Sequence, residues 1–213
     1  MSVDHGEGGI ERAAARKPRA GRPRSPAVDE AILEAALELF VERGLDGVGI
    51  EQVAERAGVA RTTVYRRWPS KESLVAQAIA LGRGSADEKV VRDPTSRRST
   101  MKSVAEALAR TFGAGDYRKM VARLIGSIPD HPELMAIYSR TYLIPRRKIA
   151  SDALELARAQ GLIRADMDGD ILLDLVAGAL MYRLLIFPGD SSGKGIRKYL
   201  LKVFRELRLE KAT

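Results

Sequence analysis

The stretch that decides the fold is Gln52-Val-Ala-Glu-Arg-Ala-Gly-Val-Ala-Arg-Thr-Thr-Val-Tyr-Arg-Arg-Trp-Pro-Ser-Lys71. Its apolar residues keep a helical period on both sides of Gly58, so the spacing predicts two short helices joined by a tight turn. Ala54 is small enough to let the second helix cross closely. Gly58, four residues on, supplies the left-handed backbone that such a turn demands. Val59 is placed to fill the space between the helices.

On a helix turning about 100° per residue, Val64 and Trp68 fall together and face a core. Thr62 and Arg66 fall opposite. Arg61 and Tyr65 take one flank, Thr63 and Arg67 the other. No acidic residue occurs between Arg56 and Lys71. The outward arc therefore offers guanidinium, hydroxyl and phenol groups, the donors that suit base edges and phosphates. A solvated basic helix is the plain alternative.

Outward from this stretch every segment keeps helical spacing. Ile32, Leu33, Ala36, Leu39 and Phe40 predict a helix to Arg43, stopped by Gly44. Ser70 is placed to cap a fourth helix bearing Leu74, Val75, Ala78 and Ile79. Gly82 to Ser99 mixes Gly, Pro and charge and reads as a boundary. Helical stripes follow from Met101 to Phe112, from Tyr117 to Ile128, from a cap at Asp130 to Tyr142, from Ile149 to Ala157, from Ile171 to Tyr182 and from Ile196 to Leu207. Pro145 is expected to kink or break its helix. No run alternates with period two long enough for a sheet, so the fold class read is all-α.

The 213 residues carry a formal net charge of +8, which favours an anionic partner. There is no cysteine, which excludes thiolate metal sites and cysteine nucleophiles. The two histidines, His5 and His131, make a histidine metal cage within one chain implausible. No nucleophile–base–orienter set and no Gly-rich phosphate loop occur, so no catalytic residue, metal site or cofactor is expected. The first twenty residues have no apolar core of a secretory signal. The apolar stretch from Ile171 to Phe187, interrupted by Asp174 and Arg183, is shorter than the roughly 20 residues of a bilayer span. A cytoplasmic protein with no membrane partner is expected.

Residues 28 to 80 resemble the DNA-binding domain of the TetR family of bacterial transcriptional regulators. The resemblance runs through Ile32-Leu33-Glu34-Ala35-Ala36, Leu39-Phe40, Gly44, Val53-Ala54, Ala57-Gly58-Val59, Val64-Tyr65 and Trp68-Pro69-Ser70-Lys71-Glu72-Ser73-Leu74. It implies an N-terminal three-helix helix-turn-helix domain joined through a fourth helix to a helical ligand-binding and dimerisation domain. It also implies double-stranded DNA as partner. Tyr65 then takes the place of a phosphate-touching tyrosine, and Lys71 that of the backbone-contacting lysine at the start of the fourth helix. Arg61, Thr62 and Thr63 occupy the base-reading start of the recognition helix, with Arg66 on the same outward arc and Gln52 near the start of the supporting helix. One place departs from the pattern: Gly49 stands where a capping Thr or Ser is usual.

The organisation expected is a disordered basic arm over 1–25, a DNA-binding domain over 26–70 and an effector-binding and dimerisation domain over 71–213. In the arm, Pro18-Arg-Ala-Gly-Arg-Pro-Arg24 resembles a minor-groove AT-hook with an alanine inserted, which makes Arg22 and Arg24 candidate DNA contacts. A solubilising tail with nonspecific phosphate attraction fits equally. Phe112, Met120, Met135, Tyr138, Tyr142 and Met181 are the candidate walls of an effector pocket, although each also suits plain core. Leu172, Val176, Ala179, Leu200 and Phe204 are the candidate homodimer interface, with Gly178 admitting a close partner helix.

The expected function is a dimeric repressor, released from a palindromic operator by a small apolar or amphipathic effector. Repression itself comes from the resemblance. The alternative is an architectural DNA-binding protein without small-molecule control.

Overall fold

The computed structural model describes residues 25–82, 101–113, 115–161, 163, 164, 166–187 and 189–209. These residues are helical, with no strand among them. The helices are α1 (Pro26–Arg43), α2 (Ile50–Arg56), α3 (Arg61–Tyr65), α4 (Lys71–Gly82), α5 (Met101–Phe112), α6 (Tyr117–Gly126), α7 (Pro132–Tyr138), α8 (Ile144–Ala159), α9 (Gly169–Met181) and α10 (Gly193–Glu206).

The apolar stripe of α1 buries Ile32, Leu33, Ala36, Leu39 and Phe40. Gly44 ends the helix at φ +75°, with its N–H bonded to Phe40 O at 2.8 Å. α4 buries Leu74, Val75, Ala76, Ala78 and Ile79, side chains that point to more than one face. The reason is its place: it packs against α1 on one side and α7 on the other. Buried residues from both ends of the chain accordingly form one continuous core. α10 lies along α5, and α9 packs on α8 and α10. Asp174, a charge within an apolar helix, is matched by Arg147 of α8 at 2.7 Å.

Two expectations about helix ends are corrected. The cap before α7 is His131 rather than Asp130, because Pro132 takes the first helical position, where a missing N–H costs nothing. α6 ends at Gly126, and the chain turns through Ser127 and Ile128 with bonds to Leu124 O and Ile125 O. Pro145 does not break the chain of turns. A π-helical turn, Ser139–Leu143, precedes it and joins α7 to α8. Ile144 N–H reaches back five residues to Ser139 O. Proline lacks the N–H for a four-residue bond and its ring crowds that carbonyl, and the wider turn relieves both. A second π turn, Tyr182–Ile186, ends α9, with Phe187 N–H on Tyr182 O at 2.9 Å.

Candidate nucleic-acid interface

α2 begins after Gly49, whose backbone is extended and makes no side-chain cap. Gln52 is exposed on the first turn, its Oε1 accepting a long bond from Arg43 Nη1 at 3.5 Å. α2 ends in a Schellman turn. Gly58 N–H bonds Glu55 O at 3.1 Å and Val59 N–H bonds Ala54 O at 2.9 Å, with Gly58 at φ +66°. That turn satisfies two end carbonyls and redirects the chain into α3.

α3 is shorter than the expected 61–68. Its regular part stops at Tyr65, and Arg67 and Trp68 close a last turn onto Val64 O at 2.9 and 3.0 Å. Val64 and Trp68 are buried, and Trp68 Nε1 donates to Gln77 Oε1 of α4 at 2.7 Å. Arg61, Thr62, Tyr65 and Arg66 are exposed, and Thr63 is half-buried. Tyr65 is 59 % exposed, so its ring gains little from the core and stands free for a partner.

The cations of this region divide into two sets. Arg67 was expected on a flank of the outward arc. Its side chain is instead folded under, bound to Asp29 of α1 and, through Nη1, to Thr63 O at 3.2 Å. It is a strut between α3 and α1. Arg56 turns to α1 as well, at 3.1 Å from Glu42 and 3.3 Å from Glu38. The Arg56 hydrogen bond is the largest cause holding the Glu42 carboxyl below its ordinary range, with the Arg56 and Arg43 charges adding to it. Among the described residues, Arg66 and Lys71 have no acidic partner. Arg61 faces Glu51 at 2.8 Å with both side chains in solvent.

Lys71 opens α4 and is half-buried. The expected Ser70 cap is present. Ser70 Oγ accepts from Ser73 N–H at 3.1 Å, and Ser73 Oγ accepts from Ser70 N–H at 3.2 Å. This reciprocal pair fixes the helix start, where free N–H groups and the helix dipole favour an anion. Arg22 and Arg24 lie outside the described residues.

The candidate pocket residues are dispersed in the helical core. Met120 and Tyr138 are buried, while Phe112, Met135, Tyr142 and Met181 are half-buried against the same core. Phe112 meets Tyr117 edge-on at 4.9 Å, and Tyr138 stacks on Tyr142 at 5.2 Å. Arg146 lies 4.3 Å over the Tyr142 ring. An open crevice lined by Val41, Lys119, Ala122 and Arg123 lies between α1 and α6 and contains none of these six.

The candidate interface is corrected in part. Leu172, Leu200 and Phe204 are 4 %, 0 % and 2 % exposed and belong to the protomer's own core. Val176 and Ala179 are half-buried at the edge of the outer face. That face carries Ile171, Leu175 and Tyr182, each more than half exposed, with Ile186 beyond them. Periodicity alone could not choose between two apolar faces of one helix.

The sequence reading also missed Glu51 as the partner of Arg61. Its signal was a carboxylate in the first turn of α2, ten residues before Arg61.

The model for bacterial regulatory proteins of the tetR family matches residues 32–78, and that for a tetracyclin repressor-like C-terminal domain matches 91–199. The chain is 30 % identical over 193 residues to the HTH-type transcriptional regulator YdeS of Bacillus subtilis (strain 168), covering 91 % of this chain and 96 % of YdeS. The crystal structure of the TetR family transcription regulator SCO0332 is 27 % identical, with TM-score 0.61 over 84 % of this chain and 97 % of that one. The flavonoid-responsive regulator FrrA has the same fold at 22 % identity and TM-score 0.60, over 85 % and 97 % of the two chains. The chain belongs to the TetR family of bacterial transcriptional regulators and is a DNA-binding protein of that kind.

Proposed function

We propose that this chain is a dimeric repressor that reads a near-palindromic operator with two copies of α3. The observation that carries this reading is the outward face of α3: Arg61, Thr62, Tyr65 and Arg66 are in solvent while Val64 and Trp68 anchor the helix. Bases are read by Arg61, Thr62 and Thr63, with Arg66 beside them. Phosphates are met by Gln52, Tyr65 and Lys71. The arm residues Arg22 and Arg24 add minor-groove or phosphate contacts. Residues 26–70 form the DNA-binding unit and 71–213 the effector and dimer unit.

Dimerisation is supported by the exposed row Ile171, Leu175, Tyr182 and Ile186. Two such faces related by a two-fold axis would bury each other and set the α3 helices about 34–36 Å apart or somewhat more, for successive major grooves. Release by an effector is supported by α4, which touches α1 and α7 at once. A ligand that favours one seat of α7 would tilt α4 and change the α3 spacing, and a coupling of about 1–3 kcal/mol is enough to alter occupancy. The aromatic and methionine side chains of the helical core suit a small apolar or amphipathic molecule. The flavonoid-responsive regulator FrrA, which shares the fold, is in keeping with that class.

Selection of bound fragments from the source genome by the purified full chain tests the proposal. A sharp near-palindromic site, bound by two protomers, is the expected result. Weak preference spread over long DNA would overturn it in favour of an architectural role.

A further inference from the structure

Arg61 is the first residue of α3, and Glu51 sits in the first turn of α2. The Schellman turn at Gly58 folds the two helices so that Arg61 Nη1 donates to Glu51 Oε1 at 2.8 Å. Both groups are exposed, 64 % and 58 %, on the face that α3 turns outward. Among the described residues Arg61 has no other polar partner, so its Nε–Nη2 edge is unoccupied. Glu51 is held ionised: the bond from its own backbone N–H and then the Arg61 bond keep its carboxyl below the ordinary range.

An acid on a DNA-reading face works against simple phosphate attraction. A surface pair of this exposure adds little stability. Its effect is on what the arginine can reach. An untethered arginine has about 2 kcal/mol of rotamer entropy and finds phosphates at every register. Tethered by one amino group, it keeps a planar pair of donors in a fixed direction, the geometry that matches guanine O6 and N7. The carboxylate also repels phosphate oxygens.

We propose that Glu51 is a specificity-determining positioning residue: it holds the Arg61 guanidinium toward a guanine edge and keeps it from phosphates. This rests on the reading of α3 as the base-reading helix. Glu51 thus lowers affinity for DNA in general and raises the ratio of operator to random binding.

The test is selection from a randomised duplex library by the full chain, with Glu51→Gln, Arg61→Ala and the double variant run beside it. Salt titrations on random duplex accompany each selection. Wild type should fix a guanine in each half-site. Glu51→Gln should reduce that preference about tenfold, bind random duplex more tightly, and steepen the log–log salt slope by about 0.9 for each arginine freed to a phosphate. Arg61→Ala should abolish the guanine preference, and adding Glu51→Gln to it should change the base profile no further. An unchanged profile and slope for Glu51→Gln overturns the proposal, as does a further shift of the profile in the double variant. Should the wild type select no sequence at all, the base-reading role of α3 falls with it. A sharp wild-type site with an unaltered Glu51→Gln profile removes Glu51 alone.

Discussion

Arg123 Nη2 of α6 donates to the carbonyl oxygen of Glu42 at 3.1 Å, across 81 residues of sequence. That oxygen belongs to the last turn of α1, where carbonyls lack helical partners. A little further on, His131 Nε2 comes within 2.9 Å of Asp46 Oδ1 in the turn after α1, a proximity without hydrogen-bond geometry. These contacts give the helix-turn-helix a second attachment to the helical bundle besides α4.

Arg123→Ala should therefore loosen the end of α1. One hydrogen bond to an exposed carbonyl is worth about 1 kcal/mol. The expected result is a small fall in the urea midpoint, with faster hydrogen exchange of the Gly44 to Val48 amides. Unchanged exchange there would remove Arg123 from the contacts that join the two parts.

Gly58 and Gly47 should respond to alanine for different reasons. A Cβ on Gly58 meets nothing within 4 Å, so Gly58→Ala costs only the left-handed backbone, roughly 1–2 kcal/mol. A Cβ on Gly47 would lie 2.2 Å from Arg43 Cβ, a clash with a helix-borne atom that the loop must move to relieve. Thermal melts should show the larger loss for Gly47→Ala. Equal losses would mean that the 44–49 loop yields freely.

Lys71→Ala should weaken binding to every duplex alike and lower the log–log salt slope by about 0.9 per protomer. Tyr65→Phe should weaken binding without changing the slope, because it removes a hydroxyl rather than a charge. Fluorescence anisotropy at several salt concentrations separates the two. An unaltered slope for Lys71→Ala would strike it from the phosphate contacts.

Leu175→Asp and Leu200→Ala should part company in the same way. Leu175 is 52 % exposed, so the aspartate costs the monomer little but puts charge into the apolar face proposed for the dimer. Sedimentation should show monomers with an intact helical spectrum. Leu200 is fully buried, and its truncation should cost about 2–5 kcal/mol of stability. A Leu175→Asp protein that stays dimeric would move the interface elsewhere.

The Arg56–Glu42 bond implies an acid-sensitive joint between α1 and α2. A carboxyl whose folded pKa lies below its unfolded one stabilises above the unfolded value, and the effect is lost as pH falls through the folded value. Glu42→Gln should melt below wild type at neutral pH, with the gap closing as acid protonates the wild-type carboxylate. The pair is open to solvent, so salt should shrink the gap as well. A gap that persisted in acid would assign the loss to packing.

The helix-turn-helix was legible because its determinants are local. Gly58, the Ala54 to Val59 bond, the Ser70–Ser73 cap and the Val64–Trp68 anchor lie within a few turns of one another. The same locality misled at Arg67. A helical wheel puts it outward, while its partner Asp29 stands 38 residues away on α1. Its carboxylate draws the guanidinium under the helix, and no spacing rule within 61–68 contains that information. At Pro145 the residue type calls for a kink or a break, and the form the interruption takes, a π turn, depends on how α7 and α8 pack.

The sequence by itself determined the helical class, the position and hand of the turn between α2 and α3, and the family, because backbone conformation and short-range apolar spacing act between near neighbours. The tertiary structure decided which apolar face of α9 turns inward, which arginines are held by α1, and that Glu51 meets Arg61. Those outcomes are set by the packing of helices distant in the chain, or by the angle between two adjoining ones. There a side chain's direction depends on which neighbour is present to bury it or bind its charge.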